Sequence, residues 1–214
     1  MKRIPLLPVT RILFLGLLFL PSCGVFAGDF SQSLNEGHTL LADSQNEAAL
    51  AKFETILAKS PNHLQAQIGK MEALGNMRQI PKIDEYASKQ SKSTGTDALV
   101  VAGYNKVWKR DLAGATTDFE AAIKQDANNY MAHYLLGYLK WRTRKYDDAI
   151  VHLQKTTALQ AGFAEPYYIL GDIYKTKGDS DKVLKYWNEY LKRIPRTGQR
   201  YSFVNSTVLK LGGN

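Results

Sequence analysis

The sequence predicts an all-α fold built as a solenoid of stacked helix pairs, and three observations carry that prediction. Outside the N-terminus the apolar residues, part of a 44% hydrophobic composition, recur at helical spacing. The seven prolines leave the interior with few helix breakers. The third observation is a period: Gly103, Gly137 and Gly171 stand 34 residues apart, as do Ala115, Ala149 and Val183, and Phe119, Leu153 and Trp187. Three columns sharing one such period mark a repeat whose units cover their apolar faces only by stacking on neighbours. A chain of 214 residues has room for one ordinary domain or a short array of this kind.

Taken in order, residues 1–27 read as a processing signal rather than as part of the fold. Lys2, Arg3 and Arg11 form a positive region, Ile12 to Leu20 is an almost unbroken apolar run too short to span a bilayer comfortably, and Pro21 to Ala27 is a cleavage region ending after Ala27. The stretch LPSC, Leu20 to Cys23, has a competing reading: it resembles a bacterial lipobox, in which Cys23 is lipidated, although Pro21 departs from that pattern. The chain is thus expected to be exported and periplasmic, with an outer-membrane lipoprotein or a secreted protein as the alternatives, and to meet a membrane only if Cys23 is lipidated. Cys23 is the only cysteine, which excludes an internal disulfide.

The period and residue types resemble the tetratricopeptide repeat, a helix-turn-helix unit with the pattern W-x2-L-G-x2-Y, then A-x3-F, then P. In residues 167 to 179, YYILGDIYKTKGD, Tyr167, Leu170, Gly171 and Tyr174 fall at that spacing, and Val183, Trp187, Tyr190 and Pro195 complete the unit. The unit before it has Leu136, Gly137, Ala149 and Leu153 with Lys140 in place of the tyrosine; the one before that has Gly103, Ala115, Phe119 and Ala122, with Lys106 as the same departure. Residues 93–195 therefore read as three clear units. Residues 28–92 read as two degenerate ones, the first carried by Gly37, Ala49, Phe53 and Pro61, the second by Pro81 and by Met71 in the tucking position, with a register loose by about two residues. Residues 196–214 supply a capping helix and tail, with Tyr201, Val204, Val208 and Leu211 on one face. The resemblance implies a right-handed superhelix whose concave face is lined by the first helix of each pair.

In that geometry the residue following each tucking glycine faces the groove, which selects Tyr104 and Tyr138. Tyr134 and Tyr168 stand three residues before their glycines, and Trp108 and Trp141 lie within a turn of Tyr104 and Tyr138. These six aromatics, with Arg142 beside them, form the expected binding strip; Arg144, Lys145 and Lys109 flank it. Tyrosine and tryptophan offer large rigid contact area with a polar tip, suited to a peptide and also to a sugar. The competing reading is packing, because a superhelix of few units can close over its own groove. Tyr167, Tyr174 and Trp187 match core positions instead. The carboxylate clamp known in the family needs lysine and asparagine where this chain has Tyr104 and Tyr134, so that mode is not expected.

Removing residues 1–27 leaves 25 basic and 20 acidic residues, a net charge of +5. In an exported protein this favours acidic proteins or an anionic envelope polymer as partners and not nucleic acid. Catalysis is not expected. His38, His63, His133 and His152 occur singly, with no HExxH, cysteine pair or Gly-rich phosphate loop, so no metal or cofactor is implied. His133 sits where a core aromatic belongs, and Asp147 and Asp148 open a helix, where negative charge suits the dipole. The resemblance to exported family members implies a non-enzymatic adaptor or scaffold for a protein or peptide segment, in envelope assembly, secretion or pilus biogenesis. The alternatives are a glycan- or peptidoglycan-binding or polysaccharide-export accessory protein, and a structural oligomerisation module.

Overall fold

The computed structural model describes residues 30–90 and 95–212. The expected signal region and Cys23 lie outside these residues. The described chain is helical throughout: α1 Ser31–Ala42, α2 Asn46–Lys59, α3 Leu64–Asn76, α4 Ile80–Gln90, α5 Thr96–Trp108, α6 Leu112–Gln125, α7 Tyr130–Arg142, α8 Tyr146–Leu159, α9 Glu165–Lys177, α10 Ser180–Leu191 and α11 Gln199–Lys210. Ten of these form five hairpins, α1 with α2 through α9 with α10, and α11 closes the array.

The five hairpin turns are the same turn. A left-handed residue ends each first helix: Ser44, Arg78, Arg110, Arg144 and Gly178. Its N–H donates three residues back, and the next N–H donates five back, as in Arg144 to Trp141 and Lys145 to Lys140. That pair of bonds satisfies the helix-terminal carbonyls as a Schellman motif does. The left-handed positions lie 34 residues apart except between Arg78 and Arg110, where the interval is 32. The second unit is short because α4 spans 11 residues where α2, α6 and α8 span 14. This is the physical content of the loose register in the N-terminal half.

Inside the last three hairpins a small residue lets the paired helix approach: Gly103 meets Phe119, Gly137 meets Leu153 and Gly171 meets Trp187. Phe119, Leu153 and Trp187 are fully buried, as is Phe53, which is gripped by Gly37 and Gly69 from two successive units. Met71, in the tucking position of the second unit, is also fully buried. A row of such plugs, each covered by the next hairpin, is a core of solenoid type. The capping helix α11 buries Val204 and Val208. Tyr201 is only partly buried and Leu211 stays exposed.

First helices pack on first helices, α1 on α3, α3 on α5, α5 on α7 and α7 on α9, and so make the inner layer. The curl of that layer brings the two ends of the chain together. The Asn35 amide of α1 donates to Gly162 O (2.8 Å) and Arg193 O (3.2 Å), and its Oδ1 accepts from Ala164 N (3.2 Å). Asp43 Oδ1 accepts from Gln199 N and Arg200 N, capping α11 across 156 residues of sequence. His38 rests its ring between Phe53 and Phe163, with centroids 5.3 and 5.4 Å away. The first unit is thereby clasped to the last.

Candidate functional site

The residue after each tucking position forms a column along the inner layer: His38, Glu72, Tyr104, Tyr138 and Asp172. Helical spacing puts the side chains one turn on, Trp108 and Arg142, on the same face as Tyr104 and Tyr138. Between α3, α5 and α7 this surface encloses a cavity of about 890 Å³, lined by Glu72 and Gly75 of α3, Tyr104, Val107 and Trp108 of α5, and Tyr138, Leu139 and Arg142 of α7. Arg78 and Arg110 lie at its mouth because the hairpin turns end there. Trp108 sits against Gly75, where any larger residue would collide with the indole.

Of the seven residues expected in the binding strip, Tyr104, Trp108, Tyr138 and Arg142 come together around this cavity. The other three sit elsewhere. Tyr134 is buried with its ring 4.7 Å from that of Phe163. Trp141 turns towards the next unit and donates its indole N–H to Asp172 Oδ2 at 3.0 Å. Tyr168 lies under the Arg200 guanidinium, 4.4 Å from its ring centre, and 5.4 Å from the Tyr190 ring. Tyr167, Tyr174 and Trp187 are core, as their consensus positions require.

Glu72, Arg78 and Arg110 belong to the cavity and were not singled out by the sequence. Glu72 occupies the column of Tyr104 once the 32-residue interval replaces the 34-residue one. Arg78, Arg110 and Arg144 recur at the left-handed turn position, a regularity hidden because arginine is not a usual residue there.

The electrostatics of the interior centre on two glutamates. Glu165 of α9 is buried and takes both contacts from Arg200 Nη1, at 2.9 and 2.8 Å. Glu72 has no such partner, and burial, reinforced by the nearby Glu165 and opposed by Arg200, pushes its carboxyl up to about 7. Burial, then the charge of Glu72, also raises the Tyr104 and Tyr138 hydroxyls, so both stay protonated donors at neutral pH. Trp108 Nε1, close to the Tyr104 hydroxyl, is buried without an aligned acceptor. Arg78, Arg110 and Arg142 are exposed and make no salt bridge among the described residues.

His133 and His152 pack against each other, and His63 caps α3 by accepting from Ala66 N. His133 Nδ1 meets His152 Nδ1 at 3.1 Å while His133 Nε2 donates to Ala127 O, and burial lowers both rings below their ordinary range. Among the described residues no three His, Cys, Asp or Glu side chains gather to hold a metal ion. Among them, too, no helix is long and apolar enough to cross a membrane.

No curated protein matches the sequence. Among solved structures the fold is similar to TTC0263, a thermophilic tetratricopeptide repeat protein of Thermus thermophilus, at 19% identity over 84% of this chain and 96% of that one, with a TM-score of 0.55. It is also similar to PilW, a type IV pilus biogenesis factor, at 16% identity over 87% and 88% of the two chains, with a TM-score of 0.53. Models of the tetratricopeptide repeat match residues 103–162 and 164–197. Over residues 103–162 and 164–197 those matches, on a chain whose five hairpins share one turn, support the tetratricopeptide repeat family.

Proposed function

We propose that this chain is a non-catalytic adaptor that holds a segment of a partner protein in the cavity between α3, α5 and α7. The observation that carries the reading is the cavity itself. It opens on the inner layer and gathers three aromatic side chains with arginines free of salt bridges at its mouth. Aromatic and arginine side chains supply contact area and hydrogen bonds where a peptide must be desolvated. Tyr138 and Arg142 contribute directly, Tyr104 and Trp108 form the wall, and Tyr134, Trp141 and Tyr168 hold the inner layer in shape.

The place of action is the bacterial envelope, after removal of residues 1–27. The basic N-terminus and apolar run motivate this reading, and the shared fold with PilW is compatible with it. N-terminal sequencing of the protein from its native host tests it: a chain beginning after Ala27 is expected, and an intact Met1 in the cytoplasm overturns it.

Affinity capture from envelope extracts tests the docking. Wild type is compared with a Tyr138→Ala, Arg142→Ala variant whose fold has been confirmed by circular dichroism. A partner held by wild type and lost by the folded variant is the expected result. Capture of the same partners by both would move the function off the cavity.

A further inference from the structure

The acidic side chains of the inner-layer helices, and those of α4 and α6 that reach α5, mostly have a partner. Glu165 is held by Arg200, Asp84 by Lys109 and Asp118 by Lys106, while Asp172 accepts from the Trp141 indole. Glu72 is the exception: it makes no hydrogen bond or ion pair among the described residues, yet its carboxyl stands in the wall of the cavity with Tyr104, Trp108 and Tyr138. A carboxyl in that position costs stability when it ionises, and nothing in the packing of α3 requires it. Its neighbours in the column, Tyr104 and Tyr138, show that an uncharged side chain fits there.

A cation is what the group lacks. An aromatic wall favours an arriving cation through the ring quadrupoles, and a carboxylate at its end fixes the position. The mouth carries the opposite instruction. Arg78, Arg110 and Arg142 are exposed and free of salt bridges among the described residues, so a bare cation would be repelled on entry, while acidic groups on either side of it would be attracted.

We infer that the cavity receives a lysine side chain of the partner peptide, its ammonium on Glu72 beside Tyr104, Trp108 and Tyr138, with acidic residues flanking that lysine on Arg78, Arg110 and Arg142. This inference rests on the peptide-docking reading above and adds the chemistry of the segment. The raised pKa of Glu72 in the protein alone is the expected companion: burial without a counter-ion pushes it up to about 7, and a bound ammonium would draw it back down.

Titration calorimetry with synthetic peptides tests it. The probes are acetyl-Glu-Ala-Lys-Ala-Glu-amide, the same peptide with norleucine for lysine, and the same peptide with glutamine for both glutamates. On wild type the lysine peptide is expected to bind about tenfold tighter than the norleucine peptide, and also tighter than the glutamine-flanked one. Glu72→Gln is expected to remain folded, since it removes an unpaired carboxyl, and to bind the lysine and norleucine peptides equally. Equal binding of those two peptides by wild type, or a lysine preference that survives in Glu72→Gln, overturns the inference. Where wild type binds the two peptides equally, a loss of norleucine-peptide affinity in Tyr138→Ala means that docking in the cavity stands while the lysine assignment falls. Binding of none of the peptides at millimolar concentration also overturns the inference, and the capture experiment then decides the docking reading on its own.

Discussion

Tyr134 and Tyr138 lie one turn apart on the same face of α7, are chemically identical, and have opposite fates. Tyr138 lines an open cavity, while Tyr134 is covered by Phe163 from the loop before α9. Nothing local separates them. The difference comes from the clasp, in which Asn35 of the first unit binds the loop before α9 and Asp43 caps α11, closing one end of the inner layer over its own aromatics. An aromatic strip on a short solenoid is therefore surface only where the curl leaves it open.

Truncation should separate the two tyrosines most clearly. Tyr134→Ala is expected to cost about 3 kcal/mol in denaturant unfolding, because it leaves a void beneath Phe163. Tyr138→Ala should cost less than about 1.5 kcal/mol, since its ring already faces the cavity, and should act on partner capture instead. Equal losses of stability would mean that the two ends of the strip are not different surfaces.

The next largest effect tests the clasp. Asn35→Ala removes three hydrogen bonds to backbone groups and strands Ala164 N, for an expected loss of about 2–3 kcal/mol. Hydrogen exchange should quicken in α1 and α11 while α5 to α8 remain protected. Uniform loss of protection would show that the closure is part of one cooperative unit and not an added contact.

A pH difference sharpens the contrast further. Glu72 has a folded pKa of about 7, above its ordinary value of 4.5, so between those values the folded chain keeps a proton that the unfolded chain gives up, and stability falls as pH rises through that window. Glu72→Gln should therefore stabilise by about 3 kcal/mol at pH 8 and by almost nothing at pH 4.5. His38 in the clasp has the opposite sign: burial lowers it to about 4, so stability is lost as pH falls from 6.5 towards 4. The two slopes oppose each other in wild type, and comparing variant with wild type across pH separates them. A Glu72→Gln gain that does not change with pH would mean that Glu72 is solvated like a surface carboxylate.

The smallest effect concerns the turns. Arg144 holds φ at 60°, a left-handed conformation that strains a side chain with a Cβ. Gly178 holds the same position in the last unit. Arg144→Gly should stabilise by about 0.5–1 kcal/mol in thermal or denaturant melts, less the extra entropy glycine brings to the unfolded chain. Arg110→Gly should show a similar gain in stability together with weaker partner capture, since Arg110 also lies at the mouth of the cavity. A loss of stability at both positions would show that these arginines are held by the fold and not displayed by it.

Much of this architecture is present in the sequence, for a specific reason. A repeat writes the same packing problem several times, so Gly103, Gly137 and Gly171 with their partners Phe119, Leu153 and Trp187 report helix pairing by their spacing alone. The groove column followed from the same logic at Tyr104 and Tyr138. It failed at Glu72 because the second unit is two residues shorter, and at Arg78 and Arg110 because a turn type, not a residue type, repeats there. The closure of the array left no periodic trace. It depends on single contacts between residues more than 120 apart, such as Asn35 with Gly162 and Asp43 with Gln199, whose partners are set by the accumulated curl of five hairpins. Nearest-neighbour packing is local and so legible in the sequence. Which half of an aromatic strip is left facing solvent is a property of the whole curve, and only the tertiary structure decides it.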